Sequence, residues 1–358
     1  MTGSIKQAVL DLAGYISPPQ QNYRAKLNQN ESPFDLPDEL KRKLLESAGQ
    51  IAWNRYPAYG SPRLREKLAA RHSVTADHIL LGNGSNQLLS TLITATLNPG
   101  DGVLFCPPTF SLFDLYARVA GATQISVARA PGEPFPVREC HHAIERTHPK
   151  LILLCSPNNP TGAEIALQDL AGICDRASGL VLLDEAYGEF TDRSALELLE
   201  RFPNLIVSRT CSKAFGLAGL RLGYLVAAPR VIAELVKINL PYNINHFTEH
   251  VVLGILAEPG QISERVRYLV EQRERMAEAL ASMMPGRVYP SAANFLLVRS
   301  YPGRDLVTEL RDRGVLVRDV SEAPQLRDHF RVTVGMAREN DIFLDTLEQL
   351  LDEGPEEK

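Results

Sequence analysis

The sequence predicts an α/β fold, a mostly parallel sheet covered by helices and followed by a smaller α+β unit. Three observations carry this. From residue 79 onward, short apolar runs alternate with helical patterns. Several of those runs are apolar throughout, as strands buried on both faces must be. Past residue 285 the order changes to strand, helix, strand, strand and a closing helix.

The chain has 358 residues, 44% hydrophobic and 23% charged, the composition of a globular protein. That length exceeds one small core, so two domains are expected: a large one over 46–260, and a small one from 1–45 with 261–358. A formal net charge of -5 without a basic block implies neither a nucleic-acid nor a membrane surface. The longest apolar runs fall far short of a transmembrane span. The N-terminus lacks a signal-peptide cleavage pattern. Cys106, Cys140, Cys155, Cys174 and Cys211 form no CxxC pair and no disulfide framework. Cys106 and Cys155 end apolar runs and read as buried thiols, and a reducing, cytoplasmic compartment is expected.

In chain order, a short helical pattern precedes the polar stretch KLNQNESPFDLP, residues 26–37. This stretch is too polar for a core and too short for a linker, so it reads as a loop lining a cleft or as plain surface. Asp38 opens a helix with Leu40, Leu44 and Leu45 at helical spacing, and with Asp38 and Glu39 suited to its first turn. SPRLREKLAARHSV gives another helix, with Leu64 and Leu68 apolar. Strands are expected at 79–81, 103–105, 151–155, 180–183, 205–207 and 224–227. A long charged helix covers residues 262–284. Strands at 294–298, 315–318 and 330–334 then alternate with helices and are expected to pack with the N-terminal segment.

In open α/β sheets ligands sit at the carboxyl ends of the strands, so the residues just past each strand are informative. After 79–81 comes GNGSNQ, residues 82–87, opening a helix. Free N–H groups and the helix dipole there make an anion site from Gly84, Ser85 and Asn86. Gln87 stands where a dinucleotide fingerprint needs glycine, and no GxxxxGK[ST] occurs. After 151–155 comes SPNNPTG, a tight turn by composition. After 180–183 comes DEAY, whose Asp184 could merely cap a turn. After 205–207 comes SRTCSKAFGLAGLRLGY, with one lysine, Lys213, and Arg221 eight residues on. A lysine kept out of water is pushed toward its neutral form, which attacks carbonyls as a Schiff-base lysine must. The alternative is a loop lysine that binds any anion. The four strand ends bring together an anion cradle, a carboxylate, a tyrosine, an asparagine and a lysine. Pyridoxal phosphate requires that set. Thr210, Ser212 and Arg221 would join the helix start in neutralising its phosphate.

NPTG at 159–162, DEAY at 184–187 and SKAFGLAGLRLGY at 212–224, in this order, resemble aminotransferases of the aspartate-aminotransferase fold. LNQNESPF, NRYP, CPPTF, LPYNIN and FRVTVG narrow the resemblance to the histidinol-phosphate aminotransferase family, over nearly the whole chain. The resemblance implies a type I pyridoxal-phosphate fold, with a seven-stranded sheet in the large domain. It makes Lys213 the Schiff-base lysine and proton shuttle. Asp184 becomes the partner of the pyridinium nitrogen, and Tyr187 and Asn159 the holders of the ring oxygen. Phe110 would stack on the ring, where many relatives have tyrosine. Tyr56 would reach the cofactor phosphate of a neighbouring subunit, which implies a homodimer with shared sites. Arg331 and Arg318 would bind the substrate's anionic end, arginine being suited to phosphate and carboxylate. Arg318 reads equally well as an ion pair with Asp319. Tyr15 and Asn30 would be substrate-side contacts.

The implied reaction converts histidinol phosphate and 2-oxoglutarate into imidazole-acetol phosphate and glutamate, in histidine biosynthesis. The same cradle would serve an aromatic amino-acid aminotransferase or a threonine-phosphate decarboxylase. A cofactor-sensing regulator would need an added DNA-binding module, for which the first fifty residues leave little room. His246 and His250 are four apart, but Phe247 stands where a metalloprotease needs glutamate, so no metal site is expected. His141 and His142 read as surface.

Overall fold

The structure is a computed structural model that describes residues 2–14 and 21–353. The expected contact Tyr15 lies outside the described residues. Twelve strands occur among them: β1 (Ala25–Lys26), β2 (Ile79–Asn83), β3 (Gly102–Phe105), β4 (Thr123–Ser126), β5 (Leu151–Cys155), β6 (Leu180–Asp184), β7 (Leu205–Thr210), β8 (Leu222–Ala227), β9 (Phe295–Arg299), β10 (Val315–Leu316), β11 (Arg318–Asp319) and β12 (His329–Thr333).

The large sheet has seven strands in the order β2-β8-β7-β6-β5-β3-β4. Its pairs from β7 to β4 are all parallel, and β8 runs antiparallel to both its neighbours. Every residue of β5, β7 and β8 is buried, because helices cover both faces. Alternation within each strand divides the apolar side chains between two cores. Leu151, Leu153, Leu182 and Ile206 meet Leu88, Leu92 and Phe113 on one face. Ile152, Leu154, Leu183 and Val207 join the core holding Leu64, Ile144 and Ile173 on the other.

The small sheet has the order β11-β12-β9, all antiparallel. The helices Pro259–Met283 and Ala337–Glu353 bury Leu269, Met276 and Phe343 in the core shared with Phe295 and Phe330. The N-terminal segment pairs with this part of the chain. β1 pairs in parallel with β10, and Thr333 N donates to Leu27 O at 2.8 Å. The expected boundaries at 45/46 and 260/261 fall inside the helices Asp38–Ala48 and Pro259–Met283.

Four expectations are corrected. β4 was not expected: its TQIS sequence is half polar, and at the sheet edge no residue of it is fully buried. The strand expected at 315–318 divides between two sheets at Val317. Leu45 is exposed, while Leu44 packs where Gly254 leaves space. His141 is half-buried with its pKa lowered by burial, so only His142 lies on the surface.

All five cysteines are buried and free. His250 Nε2 lies 2.8 Å from Ser47 Oγ, a packing contact between helices. No cluster of three or more His, Cys, Asp or Glu that could hold a metal occurs among the described residues. Among them, too, no helix is long and apolar enough to cross a membrane.

Candidate active site

The anion cradle starts where β2 ends. Gly84 turns the chain at φ 79° into the helix Ser85–Thr96, which has no side-chain cap. Its first-turn N–H groups therefore lack intrahelical acceptors. Ser85 and Asn86 lie in that turn, half-buried. Two glycines shape the space. A Cβ at Gly84 would lie 2.5 Å from Arg221 Nη2, and one at Gly223 would lie 2.2 Å from Ser85 N. Glycine is needed at both for the guanidinium and the helix start to share one site. Arg221 Nη1 reaches Ser212 Oγ at 3.4 Å. The Thr210 hydroxyl works inside the loop: it accepts from Ser212 N and contacts Ser212 Oγ, both at 3.1 Å.

Asp184 ends β6 and is buried. Ala186 N donates to its Oδ1 at 3.1 Å, so the same carboxylate shapes its own turn. Burial raises its pKa to about 6, opposed by the Ala186 N–H and the Ser208 hydroxyl. The Tyr187 oxygen accepts from Asn30 Nδ2 at 2.8 Å. Burial pushes this phenol up to about 12, so it keeps its proton to donate. Asn159 Oδ1 accepts from Arg331 Nη1 at 2.6 Å, while its amide NH₂ makes no bond among the described residues. The preceding Asn158 fixes the turn, donating to Pro108 O at 2.9 Å and Thr161 Oγ1 at 2.8 Å. It also accepts from Thr109 Oγ1 at 2.7 Å, beside Phe110. Phe110 is half-buried and meets Phe113 edge-on at 5.8 Å.

Lys213 Nζ donates to Gln29 O at 2.8 Å and lies 5.9 Å from the Tyr187 ring centre. Burial, and then the Arg331 guanidinium, lower its pKa to about 7. Glu31 and Asp184 pull the other way. Much of the amine is thus neutral near pH 7. Arg331 is held by Asn159 and by Asn28 O, the latter at 2.8 Å. Arg318 stands directly opposite Arg331 in the antiparallel pair, half-buried, while Asp319 Oδ1 accepts from Ser321 N. The structure thus brings Lys213, Asp184, Tyr187, Asn159, Asn30 and Arg331 around one cleft. Tyr56 lies apart from them, its exposed ring stacked on Tyr242 at 4.6 Å.

Residues 25–347 match the family model of class I and II aminotransferases. The chain belongs to that family. The histidinol-phosphate aminotransferase of Caldanaerobacter subterraneus subsp. tengcongensis is 38% identical over 329 residues, 92% of this chain and 93% of that protein. A crystal structure of histidinol-phosphate aminotransferase from Sinorhizobium meliloti in complex with pyridoxal-5'-phosphate superposes with a TM-score of 0.87. It is 24% identical and covers 98% of each chain. L-threonine-O-3-phosphate decarboxylase from Porphyromonas gingivalis superposes at 0.78, with 23% identity over 92% of this chain and 99% of that one. The fold is the aspartate-aminotransferase-like one expected.

Around this cleft, three contributors were not expected from the sequence. Asn28 and Gln29 act through backbone carbonyls, which their side chains do not announce. The polar run NQNESP was the available signal, and it lines the cleft: Asn28 and Asn30 are buried. Ser208 stands beside Asp184 in the parallel register, which only the strand pairing reveals.

Proposed function

We propose that this chain is a pyridoxal-phosphate-dependent histidinol-phosphate aminotransferase. It passes the amino group of L-histidinol phosphate to 2-oxoglutarate, giving imidazole-acetol phosphate and L-glutamate. The observation that carries this reading is the fit of the site to the cofactor: each polar group has the valence its part of the ring needs. The uncapped helix start, Ser212 and Arg221 suit a phosphate. Buried Asp184 suits a ring nitrogen that must stay protonated. Tyr187 and Asn159 each keep a donor for the ring oxygen.

Bound pyridoxal phosphate supplies a ring that withdraws electrons from the substrate carbon. The chain's own groups do the rest. Lys213, in good part neutral near pH 7, would hold the cofactor through its carbonyl carbon. Freed by substrate, the same amine would move a proton between the substrate's α-carbon and the cofactor's carbon. Asp184 would hold the proton at the ring nitrogen, and Phe110 would support the ring face. Arg331 offers a planar fork to the substrate's anionic end. Arg318 stands opposite it in the strand pair and offers a second guanidinium to the same anionic end. Asn30 acts by orienting the Tyr187 hydroxyl. The family resemblance gives Tyr15 a substrate-side role, and has Tyr56 serve the phosphate of a second subunit in a homodimer. Five free buried thiols support a cytoplasmic setting.

The test is a substrate panel with 2-oxoglutarate as acceptor, on protein loaded with pyridoxal phosphate. Histidinol phosphate is expected to be turned over fastest. Faster transfer from phenylalanine would point to an aromatic aminotransferase. Carbon dioxide release from phosphothreonine would point to the decarboxylase. Lys213→Ala is expected to abolish the visible band of the lysine-linked cofactor along with all turnover.

A further inference from the structure

Beneath the strand ends that carry Asp184 and Lys213 lies a buried charge cluster whose hydrogen bonds go to neither of them. Arg209 immediately precedes Thr210 on β7, and alternation sends its side chain to the face opposite Ser208 and Thr210. Its guanidinium lies 2.6 Å from Glu185 Oε2 and 2.9 Å from Glu189 Oε1, and donates to Ser194 Oγ at 2.8 Å. All three charged side chains are at most 6% exposed. Glu185 also accepts from Ser194 Oγ at 2.8 Å and Ala195 N at 2.6 Å. The turn closes tightly over the arginine: a Cβ at Gly188 would lie 3.0 Å from Arg209 Cζ. From β8, Tyr224 faces Arg209 in register, its hydroxyl 2.8 Å from His72 Nε2. Burial and the nearby Arg209 and Arg71 lower His72 to about 3, so it stays neutral.

Stability alone does not account for such a triad. Well-packed apolar side chains of similar volume usually serve as well or better, because desolvating the charges offsets most of their attraction. A guanidinium fork does one thing that apolar packing cannot. It fixes two carboxylates at set distances and angles. Here the carboxylates flank the cofactor-facing turn: Glu185 comes directly after Asp184, and Glu189 lies two residues past Tyr187. The fork itself stands four residues before Lys213.

We propose that Arg209 is a positioning residue for the cofactor. By holding Glu185 and Glu189 it sets the spacing between the Asp184–Tyr187 turn and the Thr210–Lys213 loop, so that ring and phosphate meet their partners together. This rests on the pyridoxal-phosphate reading above. The test compares Arg209→Met and Arg209→Lys with wild type, all reconstituted with pyridoxal phosphate. Three quantities are read: the cofactor's dissociation constant, the pH midpoint of its visible band, and the melting temperature. Arg209→Met is expected to weaken cofactor binding about tenfold and to move the pH midpoint by about half a unit. Arg209→Lys, keeping the charge, is expected to recover part of both. If Arg209→Met does not fold, Glu189→Gln loosens one side of the fork, and the same two shifts are expected at reduced size. A folded variant that melts earlier but has wild-type cofactor affinity and pH midpoint would overturn the proposal. Wild-type protein that takes up no pyridoxal phosphate would overturn the functional reading instead.

Discussion

Burial holds the Asp184 carboxyl at about 6 against an ordinary value of 3.8, so the folded chain binds a proton there more readily than the unfolded chain. The resulting penalty is absent below pH 3.8, grows between 3.8 and about 6, and is complete above. Asp184→Asn is therefore expected to stabilise the cofactor-free protein at pH 8 by about 3 kcal/mol, at 1.36 kcal/mol per pKa unit. Denaturant titrations at pH 8 and pH 4 check it: the gain should vanish at the lower pH. Lys213 behaves oppositely. Its cation is disfavoured, with a folded value of about 7 against 10.5, so stability rises with pH between those values. Lys213→Met is expected to stabilise cofactor-free protein at pH 7, with the gain shrinking toward pH 10. Both groups were legible in the sequence because DEAY and SKAFGLAGLRLGY follow NPTG in the family's order, while each residue alone had a bland alternative. Arg209, one residue from the same loop, was not. Its partners Glu185 and Glu189 come from another strand end, and nothing in SRT marks an arginine as buried.

At the scale of elements, the proposed phosphate cradle is a packing arrangement between β8 and the start of the helix Ser85–Thr96. A Cβ at Gly223 would press on backbone, 2.2 Å from Ser85 N, and backbone cannot swing aside. Gly223→Ala is expected to destabilise by about 1–3 kcal/mol, the usual range for overpacking, and to weaken pyridoxal-phosphate binding. Gly219→Ala, where a Cβ meets nothing within 4 Å, is the matched control and should leave affinity unchanged. Equilibrium dialysis of both variants decides it. The strands feeding this cradle were readable because burial on both faces leaves a continuous apolar run, as in LILLC and LIVS. Their directions were not. β8 is as apolar as β7 yet runs antiparallel to it, and hydropathy carries no sign for direction. β4 was missed for the converse reason: an edge strand has too little buried surface to need an apolar sequence.

At the scale of the whole molecule, three exposed tyrosines group together. Tyr56 is 79% exposed and Tyr59 61%, and both pack on Tyr242, itself 43% exposed. An exposed aromatic group of this kind suits the interface of the homodimer proposed above. The sequence suggested a homodimer only through NRYP and its resemblance, since exposure cannot be read from residue type. With Tyr56 acting across that interface, two defective chains should rescue each other. Lys213→Ala lacks the amine but offers an intact Tyr56, and Tyr56→Ala lacks the ring but keeps its amine. In a mixed dimer one of the two sites combines both intact groups. Random reassociation of an equal mixture makes half the dimers mixed, so about a quarter of the wild-type sites should return. Unfolding and refolding the two variants together, then assaying against each refolded alone, measures this. Activity no higher than the average of the separate variants would place Tyr56 in the service of its own chain, and the aromatic surface would need another occupant.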